Sequence, residues 1–402
     1  MISKALRIFR EDGPLVLGRR MERYARRRFN GEVGIDLPVA AADVLVANNR
    51  VGGANDGDDG SVVSGPLTID WVIPPIGAGS GGHRTLLRIV QLLADRGHHS
   101  RLAVYDGRGI QTSAEAAAII RRHFSPLDAE ILDGMSSIGS GDALVASAWQ
   151  TAYPVLNAET KARKFYFVQD YEPYFYSMGS EAVLAEDTYR FGLYGITAGP
   201  WLAEKLAAEF GMRTSFFNFG SDSSRYTFRN TGRRDKVVFY ARPKTPRRGF
   251  ELGLLALTTF AERHPELEIH LVGEDLSGYS LPDRFVARGI LTPAELDLLY
   301  NESVAALVIS LTNMSLLPLE LLSAGCIPVV NRASSNTTVS DNPHIAYSDP
   351  APAALAATLD EVVSRSDRED YARVAAASVA CLNWEDAGVR VEAVLRQGLA
   401  GQ

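Results

Sequence analysis

From residue 68 onward, short apolar runs alternate with segments whose apolar residues recur every three or four positions. The runs TIDWVIPP (68–75), SRLAVYD (100–106), AEILD (129–133), ALVASAW (143–149), KFYFVQD (164–170) and YGITAG (194–199) are short and bounded by turn formers, which predicts strands. A second series comprises KVVFYAR (236–242), LEIHLVG (267–273), AALVISL (305–311) and CIPVVN (326–331). Helical spacing fills the gaps, most clearly in RTLLRIVQLLADRG, which Gly97 closes. Strand alternating with helix predicts parallel sheets covered on both faces. The break at GRR, 232–234, separates two such domains, expected at 67–231 and from 232 onward. Two facing open sheets put the carboxyl ends of their strands around a shared cleft, where ligands of such sheets bind.

The remainder of the chain departs from this pattern. Residues 1–30 carry nine basic side chains against three acidic ones, interleaved with Ile2, Leu6, Ile8, Phe9, Leu15, Met21 and Tyr24. That mixture predicts either an amphipathic leader lying on an anionic membrane surface or a basic helix packed against the acidic body. Residues 31–66 end in VGGANDGDDGSVVSGP, which has little to bury and reads as a flexible linker. At 402 residues and 46% hydrophobic, the chain has material for two cores. Its net charge of −7, with the positive charge gathered in the leader, leaves an acidic body and argues against nucleic-acid binding. Only Cys326 and Cys381 are present, with no signal-peptide pattern and no apolar stretch of membrane-spanning length. A cytoplasmic location is therefore expected.

Three stretches carry candidate chemistry. In WVIPPIGAGSGGHR, Gly77, Gly79 and Gly82 satisfy the dinucleotide spacing G-x-G-x-x-G, with Asp106 closing the second strand. Pro74 and Pro75 lengthen the turn, so the loop indicates a phosphate or hydroxyl neighbour at Gly81 and Gly82 and no more than that. In YARPKTPRRG, Arg242, Lys244, Arg247 and Arg248 follow the first strand of the second series, where four cations repel one another unless an anion sits among them. A solvated surface loop is the plainer reading. In SLTNMSLLPLELLSAG, a loop enters a short helix stopped by Gly325, with amides at Ser315, Leu316 and Leu317 free to face a phosphate. Glu320, set among leucines, points to ribose hydroxyls as donors.

Taken in order, these features resemble the retaining glycosyltransferases of family four, over residue 68 to the end. The carrying motifs are GGHRTLLRIVQLLADRGHHSRL, GITAGPWLAEKL, FNFGSDSSRYTF with Phe219, Gly220 and Asp222, Arg242 with the basic pair before Gly249, VGED, RGILTPAELDLLYNES and NWEDAGVRVEAVL. The resemblance implies the α/β GT-B fold, two facing Rossmann-like doubly wound domains. The second would span 232–376, and 377–402 would be a helix crossing back to the first. It adds Gly273, Ile290, Thr312 and Asn313 to the donor side, and Arg242 and Arg248 as stabilisers of the leaving diphosphate. The family carries two glutamates separated by seven residues; Glu320 matches the second and Thr312 stands at the first.

A narrower resemblance, in FVQDYEPYFYSMGSEAVLAEDTYRFG and PLELLSAGCIPVVNRASSN, is to rhamnosyltransferases of bacterial surface polysaccharides. It implies dTDP-β-L-rhamnose as donor and places His83, Gln169, Tyr171 and Glu172 on the acceptor side. Asp170 would orient hydroxyls there. Tyr174 and Tyr176 either shape that side or pack beneath it, and Asn331 and Asn336 are either near the ligand or turn formers. The family resemblance implies retention; no metal and no other cofactor are expected, since no D-x-D pair occurs in the cleft elements. The partners implied are a nucleotide sugar, a glycan acceptor that can be lipid-linked, and the inner face of the cell membrane. GDP-mannose or UDP-N-acetylglucosamine as donor, a non-catalytic glycan-binding module and a dehydrogenase are the alternatives.

Overall fold

The apolar runs become parallel strands, so that within each sheet the carboxyl ends all lie along one edge. The computed structural model describes residues 36–47, 64–77, 79–124, 126–230 and 232–400. Strands β1 (Thr68–Ile73), β2 (His99–Val104), β3 (Glu130–Ile131), β4 (Ala143–Ala146), β5 (Arg163–Val168), β6 (Tyr194–Ala198) and β7 (Thr214–Phe217) form one sheet, in the order β3-β2-β1-β4-β5-β6-β7. The second contains β8 (Lys236–Tyr240), β9 (Glu268–Val272), β10 (Phe285–Gly289), β11 (Ser303–Val308), β12 (Ile327–Asn331) and β13 (Ala346–Ser348), in the order β10-β9-β8-β11-β12-β13. Every pairing is parallel. In both sheets the order reverses beside the first strand, between β1 and β4 and between β8 and β11. Those reversals are the switch points at which a crevice opens beyond the strand ends.

Three strands were not expected from the sequence: β7, β10 and β13. All three lie at sheet edges, and β10 shows exposed positions at Val286, Ala287 and Arg288. An edge strand buries less, so its sequence need not carry a continuous apolar run.

The domain limits differ from the expectation in three places. Residues 36–47, placed in the linker, include the helix Ala41–Ala47, and Val39 and Ala47 are buried in the first domain. The Tyr105 hydroxyl accepts from the Ala40 amide at 2.9 Å and donates to Asp43 at 2.5 Å, which pins this segment down. Tyr226 packs in the core of the second domain, and the Thr227 amide donates to Asp297 at 2.9 Å, so the change of domain precedes residue 226. The returning helix is Trp384–Leu399; Ala377 instead ends a helix of the second domain. Trp384, Val391, Val394 and Leu395 join Leu86, Leu93, Phe165 and Phe217 in the first domain's core. The leader 1–30 and most of the linker lie outside the described residues.

A glycine fixes each approach to the gap. Gly220 lies against the chain at Asn383, where an added Cβ would meet backbone at 2.5 Å. Gly249 has φ 56°, and its missing Cβ leaves room for Ile309.

Candidate functional site

Between the sheets lies a cleft of about 570 Å³, lined by the exits of β1, β4 and β5 on one wall and of β8 and β11 on the other. On the first wall the helix Gly81–Asp95 starts at the N-cap Ser80. The His83 ring is tied at both nitrogens, to the Ser80 hydroxyl at 2.8 Å and the Pro74 carbonyl at 3.3 Å. A carbonyl can only accept, so Nε2 donates to Pro74 and Nδ1 accepts from Ser80. Burial lowers the His83 pKa, which keeps the ring neutral. Asp106 is consumed by its own turn, accepting from the amides of Arg108, Ile110 and Gln111. Three of its acceptor sites are thus spent within the turn, and it does not line the cleft.

On the facing wall, β8 runs into a loop whose last turn, Pro246–Arg248, ends at Gly249. Three of the four expected cations enter the cleft, Arg242, Arg247 and Arg248. Lys244 is exposed and does not line the cleft, which corrects its assignment. It follows Pro243 at the loop's outer bend, where solvation of an ammonium is favourable. Arg248 donates to the Ser310 hydroxyl at 2.7 Å, and that hydroxyl donates to the Asn313 carbonyl at 2.7 Å. Asn331 exchanges two bonds with Ser310, and Asn336 donates to the Ser310 and Asn331 carbonyls. Both asparagines are buried behind the loop and act as its brace. Arg247 lies over the Phe175 ring at 3.9 Å, with Nε 3.7 Å from Asp170 Oδ2. Arg242 stands 3.5 Å from Glu274. Burial brings the Arg248 guanidinium down to about 10, against the pull of Asp170, and Arg247 and Arg242 lower it further. Three guanidinium groups thus share two near carboxylates, Asp170 and Glu274.

Asp170 bridges the domains. Its Oδ1 accepts from the amides of Tyr171 and Asn313, both at 2.9 Å, and its Oδ2 from the Thr312 hydroxyl at 3.0 Å. Asn313 returns the contact, its Nδ2 donating to the carbonyls of Gln169 and Ala198 at 3.0 Å. Burial raises the Asp170 pKa, while Arg248, Arg247 and the two donors from the second domain oppose it. Thr312 is itself buried, so the polar group it gives the site is spent on Asp170.

The acceptor-side residues divide. Gln169 and Glu172 line the cleft. The Glu172 carboxylate is pushed up to about 7, chiefly by burial, and accepts from the Tyr166 hydroxyl at 2.9 Å and from the Trp149 amide that opens the next helix. Tyr171 does not reach the cleft, contrary to expectation. Its buried ring stacks between Tyr189 at 5.6 Å and Phe210 at 6.4 Å, because the chain turns inward after Asp170. Tyr176 lines the cleft and accepts from Trp149 Nε1 at 2.9 Å, whereas Tyr174 is 54% exposed elsewhere. On the donor side, Gly81, Gly82, Ile290, Asn313, Ser315, Leu316, Leu317 and Glu320 all line the cleft. Gly273 lies behind it, its backbone at φ 119° against the Arg242 stem.

Sequence reasoning missed a second charged group at the connector end of the cleft, beside the segment 219–226 that joins the domains: Arg84 and Arg88 of the helix Gly81–Asp95, Arg225, and Asp222 in the role it takes there. Arg88 meets Asp222 at 2.6 Å and covers the Trp384 ring at 4.6 Å. The sole hint was the spacing of Arg84 and Arg88, one helical turn apart just after the glycine loop. Glu320 faces this group and is pushed up to about 7, chiefly by burial and then by Asp222. Among the described residues, no group of three or more His, Cys, Asp or Glu could hold a metal ion, and no helix is long and apolar enough to cross a membrane.

Two facing parallel sheets, a cleft at their switch points and a returning C-terminal helix define an α/β protein of the GT-B fold. Residues 81–198 match the WsaF N-terminal domain and residues 235–360 the WsaF C-terminal domain, so the chain belongs to the WsaF family. It is 32% identical over 341 residues to the O-antigen biosynthesis protein RfbC of Myxococcus xanthus, covering 79% of this chain and 26% of RfbC. The chain thus spans about a quarter of that relative's length. Among solved structures, Anabaena HepE in complex with UDP-glucose superposes with a TM-score of 0.63 at 15% identity, over 84% of this chain and all of HepE. WaaG, a glycosyltransferase involved in lipopolysaccharide biosynthesis, superposes with a TM-score of 0.59 at 12% identity, over 81% of this chain and 99% of WaaG.

Proposed function

We propose that this protein is a glycosyltransferase of bacterial surface-glycan assembly, moving L-rhamnose from dTDP-β-L-rhamnose to a glycan hydroxyl with retention. The observation that carries the reading is the convergence of Arg242, Arg247 and Arg248 on one wall of an interdomain cleft, beside too little negative charge to balance them. A diphosphate supplies that charge, and preorganised guanidinium groups are most effective where charge grows on a leaving group. The sugar–phosphate bond breaks toward these arginines, the acceptor oxygen bonds to the sugar carbon from the same face, and the departing phosphate takes the acceptor's proton. Guanidinium charge does here what a metal ion would do, so the proposed reaction is metal-independent. Glu320 accepts from the ribose hydroxyls.

Support for the sugar comes from chemistry and kinship. Ile309, Met314 and Leu316 give the cleft an apolar wall suited to the methyl of a 6-deoxy sugar. Family membership and the role named for RfbC point to surface polysaccharide. The sequence of the basic leader suits an anionic membrane surface, the place at which a lipid-linked acceptor would be met.

The test is a calorimetric titration with dTDP, UDP and GDP, followed by a transfer assay with dTDP-rhamnose, GDP-mannose and UDP-N-acetylglucosamine. The expected result is preference for dTDP, transfer of rhamnose with the anomeric configuration kept, and an unchanged rate in chelator. Binding of no nucleoside diphosphate defeats the reading; preference for another donor defeats its rhamnose part.

A further inference from the structure

The donor reading leaves a set of cations unused. Arg84 faces the cleft from the first domain, yet among the described residues its guanidinium has no carboxylate within ion-pair distance and donates no hydrogen bond. Its guanidinium lies instead against the face of Phe124, at 5.7 Å. Arg225, 42% exposed at the mouth, reaches Asp222 only at 3.5 Å, because Arg88 already holds that carboxylate at 2.6 Å. Burial and then the neighbouring Arg225 and Arg88 lower the Arg84 pKa, the mark of like charges not neutralised. The remaining facing carboxylate is Glu320, whose pKa near 7 leaves it partly protonated at neutral pH. Tyr226, the other titratable neighbour, is held above its ordinary value, so it is neutral and brings no negative charge.

We propose that Arg84 and Arg225 form a second anion subsite at the connector end of the cleft, which takes a phosphoryl group carried by the acceptor. This rests on the glycosyltransferase reading. The donor's diphosphate is met by Arg242, Arg247 and Arg248 on the other domain, and the reaction brings in one further substrate. Arg84 stands on that substrate's wall. A phosphoryl group offers a dianion with several acceptor oxygens to guanidinium forks.

The test uses the full chain saturated with dTDP, so that the first subsite is filled, and titrates it calorimetrically with geranyl phosphate, inorganic phosphate and geraniol. One phosphate per chain is expected to bind, and geraniol is not. Arg84→Gln and Arg225→Gln are each expected to weaken phosphate binding about tenfold, with melting temperature unchanged and a smaller loss of dTDP affinity, because both arginines favour the ionised form of Glu320. Arg84→Lys, which keeps the charge, retains most of the binding and guards against a fold defect. Equal affinity for both phosphates assigns the subsite to the phosphoryl group alone, and a clear preference for geranyl phosphate assigns it to a lipid-linked acceptor. No phosphate binding to the dTDP complex, or equal binding by the unaltered chain and both glutamine variants, overturns the proposal. Failure of the donor reading looks different, because the unaltered chain then binds no nucleotide.

Discussion

Asp170 and Glu320 both bring a carboxylate into the cleft beside arginines, and the fold treats them oppositely. Every oxygen of Asp170 is engaged, by two amides, the Thr312 hydroxyl and the nearby Arg247. The Glu320 carboxylate accepts no hydrogen bond among the described residues, although Arg84, Arg88 and Arg225 surround it electrostatically. A buried carboxylate that is fully bonded serves as a strut; one left unmet costs stability and persists where a ligand completes it. The contrast assigns Asp170 chiefly to holding the domains in register and Glu320 to substrate.

The sharpest break of that contrast is removal of each carboxylate. Asp170→Ala strands the Thr312 hydroxyl and the Asn313 amide and leaves Arg247 and Arg248 without their counter-charge. A loss of about 3–5 kcal/mol in urea denaturation is expected. Glu320→Ala is expected to leave stability at neutral pH unchanged or to raise it, since no bond is lost and an unmet carboxylate is removed. Equal losses would erase the distinction.

Arg248→Ala comes next. Its guanidinium is the most deeply set of the three and is braced through Ser310 by Asn331 and Asn336. The expected cost is about 2–4 kcal/mol in kcat/KM, the scale of one lost oxyanion donor. A variant with normal turnover places the diphosphate elsewhere. Glu320→Gln is smaller: nucleotide affinity should fall by about 1.5–3 kcal/mol, the worth of hydrogen bonds to a charged acceptor. Calorimetry with dTDP reads it directly, and unchanged affinity removes Glu320 from the ribose.

The contrast also shows what a sequence can disclose. Nine strands stood out because interior strands of a parallel sheet are buried on both faces and so read as apolar runs, and the edge strand β3 was legible beside them. The edge strands β7, β10 and β13 did not, having little burial to advertise. Arg242, Arg247, Arg248 and Glu320 were legible as charges out of place, at a strand end or among leucines. Arg84 and Arg88 were not, because cations a turn apart on an amphipathic helix look like an ordinary solvated face until a second domain covers them. Tyr171 misled for the opposite reason: next to Asp170 in sequence, it points into the core. The bridge from Asp170 to Thr312 spans 142 residues of chain, and no local pattern encodes it.

The smallest effect is the most discriminating, because it sets stability and binding against each other in one pH window. Glu320 has a folded pKa of about 7, above its ordinary 4.5. Between those values the folded chain holds more protons than the unfolded one, so stability from this group is fully present below pH 4.5 and is lost as pH rises through 7. Donor binding runs the other way, since ribose hydroxyls need the ionised acceptor and affinity grows with pH until Glu320 is deprotonated. Glu172, also near 7, adds its own falling stability in the same window, so a slope remains when Glu320 is replaced. In Glu320→Gln, the stability slope should therefore shrink without vanishing. The pH dependence of dTDP affinity should retain only the nucleotide's own phosphate titration. Parallel affinity profiles for the variant and the unaltered chain across this window would show that Glu320 never meets the donor, and would return it to the same structural category as Asp170.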